Sequence, residues 1–179
     1  MIYTVTLNPS IDFIVHVDHL QIGDLNRMTN DFKLPGGKGI NVSRILKRME
    51  TESTALGFLG GFTGSFIADW LKKEEIQTNF TPVSADTRIN IKLKSDTETE
   101  INGLGPALTN EEIQELKQAV SRVQAGDIVV LSGSTPASLR KGFYEELIQI
   151  VKEKGAEFVI DTTGEDLMNA RSEEHTSEL

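Results

Sequence analysis

The sequence predicts an α/β fold: a mostly parallel central sheet flanked by helices, with a small second sheet beside it. Short apolar stretches alternate with segments whose apolar residues recur at helical spacing, which is typical of strand–helix–strand units with right-handed crossovers. Two further regions, within about residues 12–35 and 87–102, contain strand-like segments that are partly polar and only half apolar. These segments would form the small sheet in two pieces, and a sheet over one edge of an α/β domain can act as a lid.

The first half of the chain predicts, in order, a strand, two half-exposed strands, a helix, a buried strand and a second helix. Residues 1–8 are rich in β-branched and aromatic side chains before an Asn-Pro turn, which indicates the first strand. The short segments on either side of Gly23 predict an antiparallel pair. Residues 53–60 predict a buried strand and residues 63–75 a helix. The first helix is indicated by apolar residues at helical spacing: Val42, Ile45, Leu46 and Met49.

The second piece of the small sheet is indicated by residues 87–94, in which apolar and polar side chains alternate cleanly. Ile89, Ile91 and Leu93 would lie on one face, opposite a polar face, as in a half-buried antiparallel strand. Residues 97–103 should pair with this strand.

The remaining elements return to the alternation of helices and buried strands. Thr109, followed three residues later by Glu112, predicts a capping box at the start of a helix. Continuous apolar runs predict buried strands at residues 127–134 and 157–164. Residues 138–154 between them predict a further helix. Every second element is thus a helix, as a parallel sheet requires.

The composition limits the classes of function. The chain has 179 residues with 18 basic and 27 acidic side chains, a net charge of −9 at pH 7. This acidic balance, without a basic stripe, argues against nucleic acid and against an anionic membrane surface. The lack of cysteine excludes disulfides and thiolate metal sites and, with no long apolar run, fits a cytoplasmic protein. His16, His19 and His175 have no metal-ligand spacing, so we predict no metal site.

A glycine-rich loop, LPGGKGINVSR at residues 34–44, stands directly before the first helix. It is not a Walker A loop, because a glycine follows Lys38, and Val42 replaces the third glycine of a dinucleotide fingerprint. The latter departure disfavours an oxidoreductase. Glycines let backbone N–H groups approach a ligand, and a helix N-terminus favours an anion. With Lys38 and Asn41, the loop suits a phosphorylated or hydroxyl-rich small molecule; a tight turn without a ligand is the alternative.

Other side chains are candidates for the same crevice. Asp12 follows the first strand, where ligands of α/β sheets bind, and its carboxylate can accept hydrogen bonds from two sugar hydroxyls. Arg27 and Arg88 lie on the proposed lid strands, where a planar guanidinium could bind phosphate through two hydrogen bonds. Gly133 and Ser134 belong to the segment Ser132 to Pro136 after a buried strand, whose small residues and hydroxyls could line the same crevice. The alternatives are a turn residue for Asp12, surface charges for the arginines and a plain turn for the last pair.

The last nine residues, RSEEHTSEL, have neither a helical nor a strand period. They match the translation of a common sequencing-adapter oligonucleotide. We therefore expect residues 171–179 to be a non-native tail after a native segment of residues 1–170, and we assign His175 no role. A genuine solvated tail is the alternative.

Five motifs together resemble one family: TLNPSID, PGGKGINVSR, GFTG, TRINIKL and VVLSGSTP have the order and spacing of ribokinase-like (PfkB-type) sugar kinases. The resemblance covers residues 1–170 and implies ATP- and Mg²⁺-dependent transfer of the γ-phosphoryl group to a hydroxyl of a sugar phosphate. The lysine form of the glycine loop, TRINIKL and TEINGLGP look most like bacterial kinases that convert fructose 1-phosphate to fructose 1,6-bisphosphate. Kinases of tagatose 6-phosphate are a close alternative, and a non-catalytic sugar-phosphate-binding module is an alternative of another class.

The resemblance also implies roles for individual residues. Asp12 would hold sugar hydroxyls, and the cationic side chains would lie near the sugar phosphate. The implied substrate-binding residues are Asp12, Arg27, Gly36, Gly37, Lys38, Asn41, Arg88, Asn90, Gly133 and Ser134.

Two motifs of the family do not occur in this sequence. These are the Gly-Ala-Gly-Asp motif that supplies the catalytic base and the Asn-x-x-Glu motif tied to Mg²⁺. We therefore predict no catalytic or metal-binding residue in this chain, and we expect it to bind sugar phosphate weakly and not to turn over ATP. Because lid strands of this family often pair between subunits, the resemblance also implies a homodimer.

Overall fold

The computed structural model describes residues 1–162, and within this part the chain forms ten strands and four helices. In chain order they are β1 Ile2–Thr6, β2 Ser10–His16, β3 Asn30–Gly36, α1 Lys38–Arg48, β4 Ser53–Gly60, α2 Gly61–Lys73, β5 Gln77–Thr78, β6 Thr81–Val83, β7 Arg88–Lys94, β8 Glu98–Asn102, α3 Asn110–Val120, β9 Ile128–Ser132, α4 Phe143–Glu153 and β10 Glu157–Asp161. The proposed non-native tail, residues 171–179, lies outside the described residues.

Six strands form the central parallel sheet, in the order β10-β9-β1-β4-β5, with β6 also paired to β4. β1 is in the middle, because it pairs in parallel with β4 on one side and β9 on the other. The crossovers that parallel strands require contain α1, α2, α3 and α4. The predicted mostly parallel sheet is thus confirmed. The short strands β5 and β6 were not predicted, since two or three residues carry no readable period.

Each helix packs one side against the sheet. α3 and α4 pack on one face, where Leu116, Leu147 and Ile148 are 0% exposed. α1 and α2 contribute to a second apolar cluster, in which Ile40 and Ile67 are also 0% exposed. Each such side chain contributes about 1.5–3 kcal/mol through removal from water. The two clusters hold the sheet between two layers of helices.

The small sheet has four strands in the order β3-β2-β7-β8. The pairs β2–β3 and β7–β8 are antiparallel hairpins, as predicted. However, β2 and β7 pair in parallel, with Ser10 opposite Arg88 and Asp12 opposite Asn90. The small sheet is therefore mixed, and the sequence analysis did not predict how its two hairpins pair with each other. The two hairpins come from distant parts of the chain and dock side by side, so no tight turn forces their central strands to run in opposite directions.

The alternation along β7 is as predicted, but the polar face is the better buried one. Asn90 is 9% exposed, whereas Ile89 on the opposite face is 38% exposed. The polar side chains of β7 face a cleft beside the central sheet, and the apolar ones lie on the far side of the small sheet. A strand that borders a polar cleft buries its polar face, which periodicity alone cannot reveal.

The buried face of α1 also differs from the predicted stripe. Ile45 and Met49 are 54% and 68% exposed, while Gly39, Ile40 and Ser43 are buried. The helix lies close to β1: the Ser43 and Thr4 hydroxyls share a hydrogen bond of 2.7 Å. A Cβ atom at Gly39 would lie 2.5 Å from Thr6 Oγ1. This close approach through small residues sets the rotation of the helix, and the hydrophobic pattern does not.

The ends of the later helices are set by local chemistry. The capping box of α3 is confirmed, because the backbone N–H of Glu112 donates to Thr109 Oγ1 (3.2 Å) and that of Thr109 donates to Glu112 Oε2 (2.7 Å). α4 begins at Phe143 rather than at residue 138, since Gly142 has φ of +84° and ends a preceding turn. The helices of the described part are too short and too polar to cross a bilayer.

A bidentate ion pair joins α1 to the end of α2. Arg44 donates from Nε and Nη2 to the two carboxylate oxygens of Glu74, both at 2.8 Å, and Trp70 Nε1 donates to Glu74 Oε1 at 2.8 Å. The hydrogen bonds from Arg44 hold the pKa of Glu74 below its ordinary value. They also raise the pKa of Arg44. This geometry is the fork-to-fork arrangement in which arginine pairs are strongest.

We predict that Glu74→Gln lowers the free energy of unfolding at pH 7 by about 1–2 kcal/mol, because it breaks charge-assisted hydrogen bonds that solvent partly screens. The folded-state pKa of Glu74 is depressed, so this stabilisation is present above the ordinary glutamate pKa. It is lost as the pH falls through the lowered folded-state value, and the difference between wild type and variant should therefore narrow on acidification. Urea unfolding, followed by circular dichroism at a series of pH values, measures this difference in the free energy of unfolding.

The matched control is Glu75→Gln. Glu75 is the next residue, pairs with Lys47 at 3.6 Å and has a side chain that is 83% exposed. Its substitution should cost less than about 0.5 kcal/mol. Equal losses in the two variants would contradict the assignment of Glu74 as the structural partner.

Candidate functional site

A cleft of about 390 Å³ lies between the carboxyl ends of β1 and β9, the start of α1 and the inner face of the small sheet. Its walls are almost entirely polar. The end of β1 and the start of β2 contribute Thr6, Asn8, Ser10 and Asp12; the glycine-rich loop and α1 contribute Gly37, Lys38 and Asn41. The small sheet contributes Arg88, Asn90, Lys92, Glu100 and Asn102. The end of β9 and the segments after β9 and β10 contribute Ser132, Gly133, Ser134 and Thr162.

The floor of the cleft holds three buried polar atoms without a hydrogen-bond partner among the described residues: Thr6 Oγ1, Asn8 Oδ1 and Ser132 Oγ. Their residues are 2%, 8% and 0% exposed. A buried polar group without a partner costs about 1–3 kcal/mol. All three residues line the cleft, so a ligand or water bound there is the nearest source of the missing hydrogen bonds.

Asp12 is held through one carboxylate oxygen. Its Oδ1 accepts hydrogen bonds from Ser10 Oγ (2.9 Å) and from Asn90 Nδ2 (3.3 Å). Asn90 Nδ2 also donates to Ser10 Oγ (3.1 Å), and Asn90 Oδ1 accepts from the backbone N–H of Gly103 (3.2 Å). Asp12 Oδ2 has no hydrogen bond within residues 1–162. The network thus orients the carboxylate and leaves one oxygen available to a ligand.

Arg88 connects the small sheet to the turn after β1. Its Nε and Nη2 donate to the carbonyl oxygen of Asn8 at 3.3 and 3.0 Å, and its Nη1 donates to that of Gly103 at 3.3 Å. Burial lowers the pKa of Arg88, and the charge of Asp12 partly offsets this effect. Arginine nevertheless stays protonated. Three of its five N–H groups are engaged with backbone, so two are left for a ligand in the cleft.

The glycine-rich loop brings main chain close to this network. A Cβ atom at Gly36 would lie 2.4 Å from Asp12 Oδ1, so only glycine leaves room for the carboxylate. Gly37 has φ of +116° and is the N-cap of α1 without a side-chain cap, which leaves the first N–H groups of the helix unpaired by side chains. The Asn41 side chain lines the cleft one turn into the helix. The predicted anion-favouring helix start therefore opens into the cleft.

Lys38 and the loop after β9 close the opposite side. Lys38 Nζ lies 3.5 Å from Asp161 Oδ1, and the two side chains are 51% and 62% exposed, so this pair is weak. The carbonyl oxygen of Gly133 accepts from Tyr144 Oη (2.9 Å) and from Thr162 Oγ1 (3.0 Å). These bonds hold the loop in place, while Lys38 remains able to turn toward a ligand.

Eight of the ten sequence-predicted residues line the cleft: Asp12, Gly37, Lys38, Asn41, Arg88, Asn90, Gly133 and Ser134. Gly36 lies directly beneath Asp12. The predicted position of Arg27 on a lid strand is wrong, because Arg27 lies on the exposed loop between β2 and β3 and does not line the cleft. Its proposed role near a sugar phosphate stays a prediction, as do the binding roles of the other nine.

Several lining residues were missed by the sequence reasoning. Lys92 shares a strand face with Arg88 and Asn90, so the alternation of β7 could have identified it. Asn8 and Ser10 flank the turn of the TLNPSID motif. Glu100 and Asn102 depend on the register between β7 and β8, and Thr6 and Thr162 read as ordinary strand residues. Only the assembled fold brings these four into the cleft.

A second cleft, of about 490 Å³, lies beside the start of α2. It is larger than the first, but no charged side chain lines it, and Phe80 and Pro82 form part of its wall. The glycines of the GFLGGFTG stretch serve close packing here: a Cβ atom at Gly64 would lie 3.1 Å from the backbone of Leu59. Because it lacks charged groups, we place the chemistry in the first cleft.

Comparison with known proteins agrees with this architecture. Residues 5–175 match the model of the pfkB family of carbohydrate kinases. A 1-phosphofructokinase from Bacillus subtilis is 52% identical over 170 residues, which cover 95% of this chain and 56% of the relative. A D-tagatose-1-phosphate kinase from Bacillus licheniformis is 37% identical over 96% of this chain and 57% of its own length. The chain thus spans little more than half the length of these relatives.

The fold of the described residues is also that of a solved relative. The crystal structure of phosphofructokinase-2 from Escherichia coli in complex with substrates and products superimposes with a TM-score of 0.90 at 29% identity. The match covers 96% of this chain and 57% of that one. This agreement confirms the ribokinase-like α/β fold that the sequence motifs implied. With the family match over most of its length, the chain belongs to the pfkB family of carbohydrate kinases.

Proposed function

We propose that the protein to which this chain belongs transfers the γ-phosphoryl group of ATP to fructose 1-phosphate and forms fructose 1,6-bisphosphate. In this proposal residues 1–162 supply the sugar-phosphate site. The site residues are those predicted from the sequence, with the small sheet acting as a lid over the cleft. The 52% identity with the Bacillus subtilis 1-phosphofructokinase supports fructose 1-phosphate as the substrate.

The observation that carries the proposal is the orientation of Asp12. One of its carboxylate oxygens is held by Ser10 and Asn90, and the other has no partner within the described part of the chain. A fixed carboxylate with one open oxygen is suited to accept hydrogen bonds from sugar hydroxyls. The unpartnered atoms of Thr6, Asn8 and Ser132 supply further groups for the same ligand.

The charges of the cleft fit a phosphorylated sugar rather than a neutral one. Lys38, Arg88 and Lys92 line it, together with the uncapped start of α1. A dianionic phosphate would be attracted by these groups in a site that is partly screened from water. Phosphoryl transfer relies mainly on positioning and on neutralisation of charge, and this half of the site would contribute both for the acceptor sugar.

ATP and Mg²⁺ are the cofactors implied by the family. Within residues 1–162 there is no group of three or more side chains that could hold a metal ion. We therefore assign no step through the metal and no catalytic base to the described residues. Their proposed role is to bind and orient the sugar phosphate.

Two phosphates of tagatose are the competing substrates. Tagatose 6-phosphate is the alternative from the motifs, and the Bacillus licheniformis relative supports tagatose 1-phosphate. A non-catalytic sugar-phosphate-binding module is the alternative from another class.

A homodimer through the small sheet is also proposed, because Ile89 and Ile101 on its outer face are 38% and 56% exposed. A cytoplasmic location stays a prediction.

The proposed function is tested with a chimera in which residues 1–162 replace the corresponding part of the Bacillus subtilis 1-phosphofructokinase. We predict fructose 1-phosphate-dependent ADP release, with kcat/KM at least about tenfold above that for tagatose 6-phosphate or tagatose 1-phosphate. The 179-residue chain alone should show no turnover. A chimera that prefers a tagatose phosphate would contradict the proposed substrate. Turnover by the chain alone would contradict the expectation that it lacks a catalytic base.

Asp12→Asn in the chimera tests whether the open carboxylate oxygen of Asp12 binds the sugar. It keeps the shape of the side chain but replaces an acceptor oxygen, so kcat/KM should fall by roughly a hundredfold. Asp18→Asn, in the exposed loop after β2, is the matched control and should change kcat/KM less than about twofold.

Arg88 gives a further prediction, because its N–H groups reach both the cleft and the backbone of the turn after β1. Arg88→Ala in the chimera should raise KM for fructose 1-phosphate about tenfold or more, while KM for ATP changes less than about twofold. For Arg88→Lys, KM for fructose 1-phosphate should lie between the values for the unchanged chimera and for Arg88→Ala, since a lysine keeps the charge but not the planar fork. If both KM values rise equally, Arg88 has been placed in the wrong subsite.

A further inference from the structure

The mouth of the cleft contains a cation and a counter-ion that the motifs did not single out. Lys92 on β7 and Glu100 on β8 are directly opposite each other in the antiparallel ladder, and both line the cleft. Lys92 Nζ lies 3.6 Å from Glu100 Oε1. The pair therefore forms a rung across the inner face of the small sheet, within the lining of the cleft.

The ion pair between Lys92 and Glu100 is weak enough for a phosphate to replace the carboxylate as the partner of Lys92. Its side chains are 33% and 48% exposed, and the distance is at the long end for an ion pair. Partly exposed pairs of this kind contribute about 0–1 kcal/mol. A dianionic phosphate offers a lysine more charge and more acceptor oxygens than a single carboxylate does. The ammonium of Lys92 can therefore leave Glu100 for a phosphate at little cost.

The position of Lys92 relative to its neighbours adds to this argument. Arg88, Asn90 and Lys92 are alternate residues of one strand, so they face the same side and follow one another at intervals of about 7 Å. Arg88 donates most of its N–H groups to backbone carbonyls, and Asn90 is engaged with Ser10 and Asp12. Of these three, Lys92 alone has only an exposed carboxylate as its partner.

We infer that Lys92 is a phosphate-binding residue of the cleft and that Glu100 is its exchangeable counter-ion. On binding, the ammonium group of Lys92 moves from Glu100 to the phosphate of the ligand. Glu100 keeps the lysine at the mouth of the cleft and, by its own charge, weakens the affinity for anions. That the phosphate belongs to a sugar rests on the proposed function; that Lys92 takes a phosphate rests on the geometry of the rung.

A second lysine–glutamate pair of the small sheet provides a matched control for the experiment. Lys94 and Glu98 form the next rung of the same two strands, on the same face, but neither lines the cleft. Lys94→Met and Glu98→Gln therefore make the same changes of net charge as Lys92→Met and Glu100→Gln, one rung farther from the ligand. A direct contact would distinguish the two rungs, whereas a general effect of protein charge would not.

The experiment is an NMR titration of the 179-residue chain and the four variants with inorganic phosphate, fructose 1-phosphate and fructose. We expect Lys92→Met to weaken binding of both phosphate and fructose 1-phosphate about tenfold or more, with no change for fructose. Glu100→Gln should strengthen binding of both phosphorylated ligands severalfold. Lys94→Met and Glu98→Gln should each change binding less than about twofold.

The outcomes separate this inference from the proposed function. If fructose 1-phosphate binds and Lys92→Met has no more effect than Lys94→Met, the inference is wrong while the sugar-phosphate site stands. If the binding of inorganic phosphate depends on Lys92 but fructose 1-phosphate binds no more tightly than inorganic phosphate, the role of Lys92 is confirmed and the proposed substrate is wrong. If the wild-type chain binds no phosphate, or Lys92→Met weakens fructose equally, the inference is overturned.

Discussion

The parallel pairing of β2 with β7 is the constraint on which the cleft depends. It places Asp12 opposite Asn90 and Ser10 opposite Arg88, although each pair is 78 residues apart in the chain. The hydrogen bonds of Asn90 to Ser10 and Asp12 then connect the two hairpins on their inner face. A shift of this register by one residue would turn these polar side chains to the outer face and bring Ile89 and Ile91 into the cleft. The chemistry of the site is therefore a consequence of strand pairing.

Glycine provides the second constraint, because the cleft forms where three pieces of backbone come close together. Gly36 leaves room for the Asp12 carboxylate, and Gly39 lets α1 lie against the end of β1. The hydrogen bond between Ser43 and Thr4 fixes the helix in that position. The same approach aims the start of α1 at the cleft, where its unpaired N–H groups favour an anion. A larger residue at Gly36 or Gly39 would move main chain and separate the loop from Asp12.

Much of the fold could be predicted from the sequence because its signals are local. Apolar runs indicated the central strands, the Thr109–Glu112 spacing indicated a helix start, and motifs indicated about half of the residues that line the cleft. The errors arose where tertiary packing overrides a local pattern. Ile45 and Met49 are spaced as a buried stripe, yet α1 turns small residues to the sheet. The polar face of β7 is buried because it borders the cleft, and the partners of Lys92 depend on a register that no single strand encodes.

The most direct test of the account is a crystal structure of this chain with fructose 1-phosphate. The account predicts a sugar hydroxyl within hydrogen-bond distance of Asp12 Oδ2, and a phosphate that contacts cationic side chains of the same cleft. Density for the ligand in the uncharged cleft beside α2, or a phosphate bound away from Lys38, Arg88 and Lys92, would contradict it. The first result would show that the oriented Asp12 carboxylate does not define the sugar-phosphate site, and the second that these three cations do not bind its phosphate.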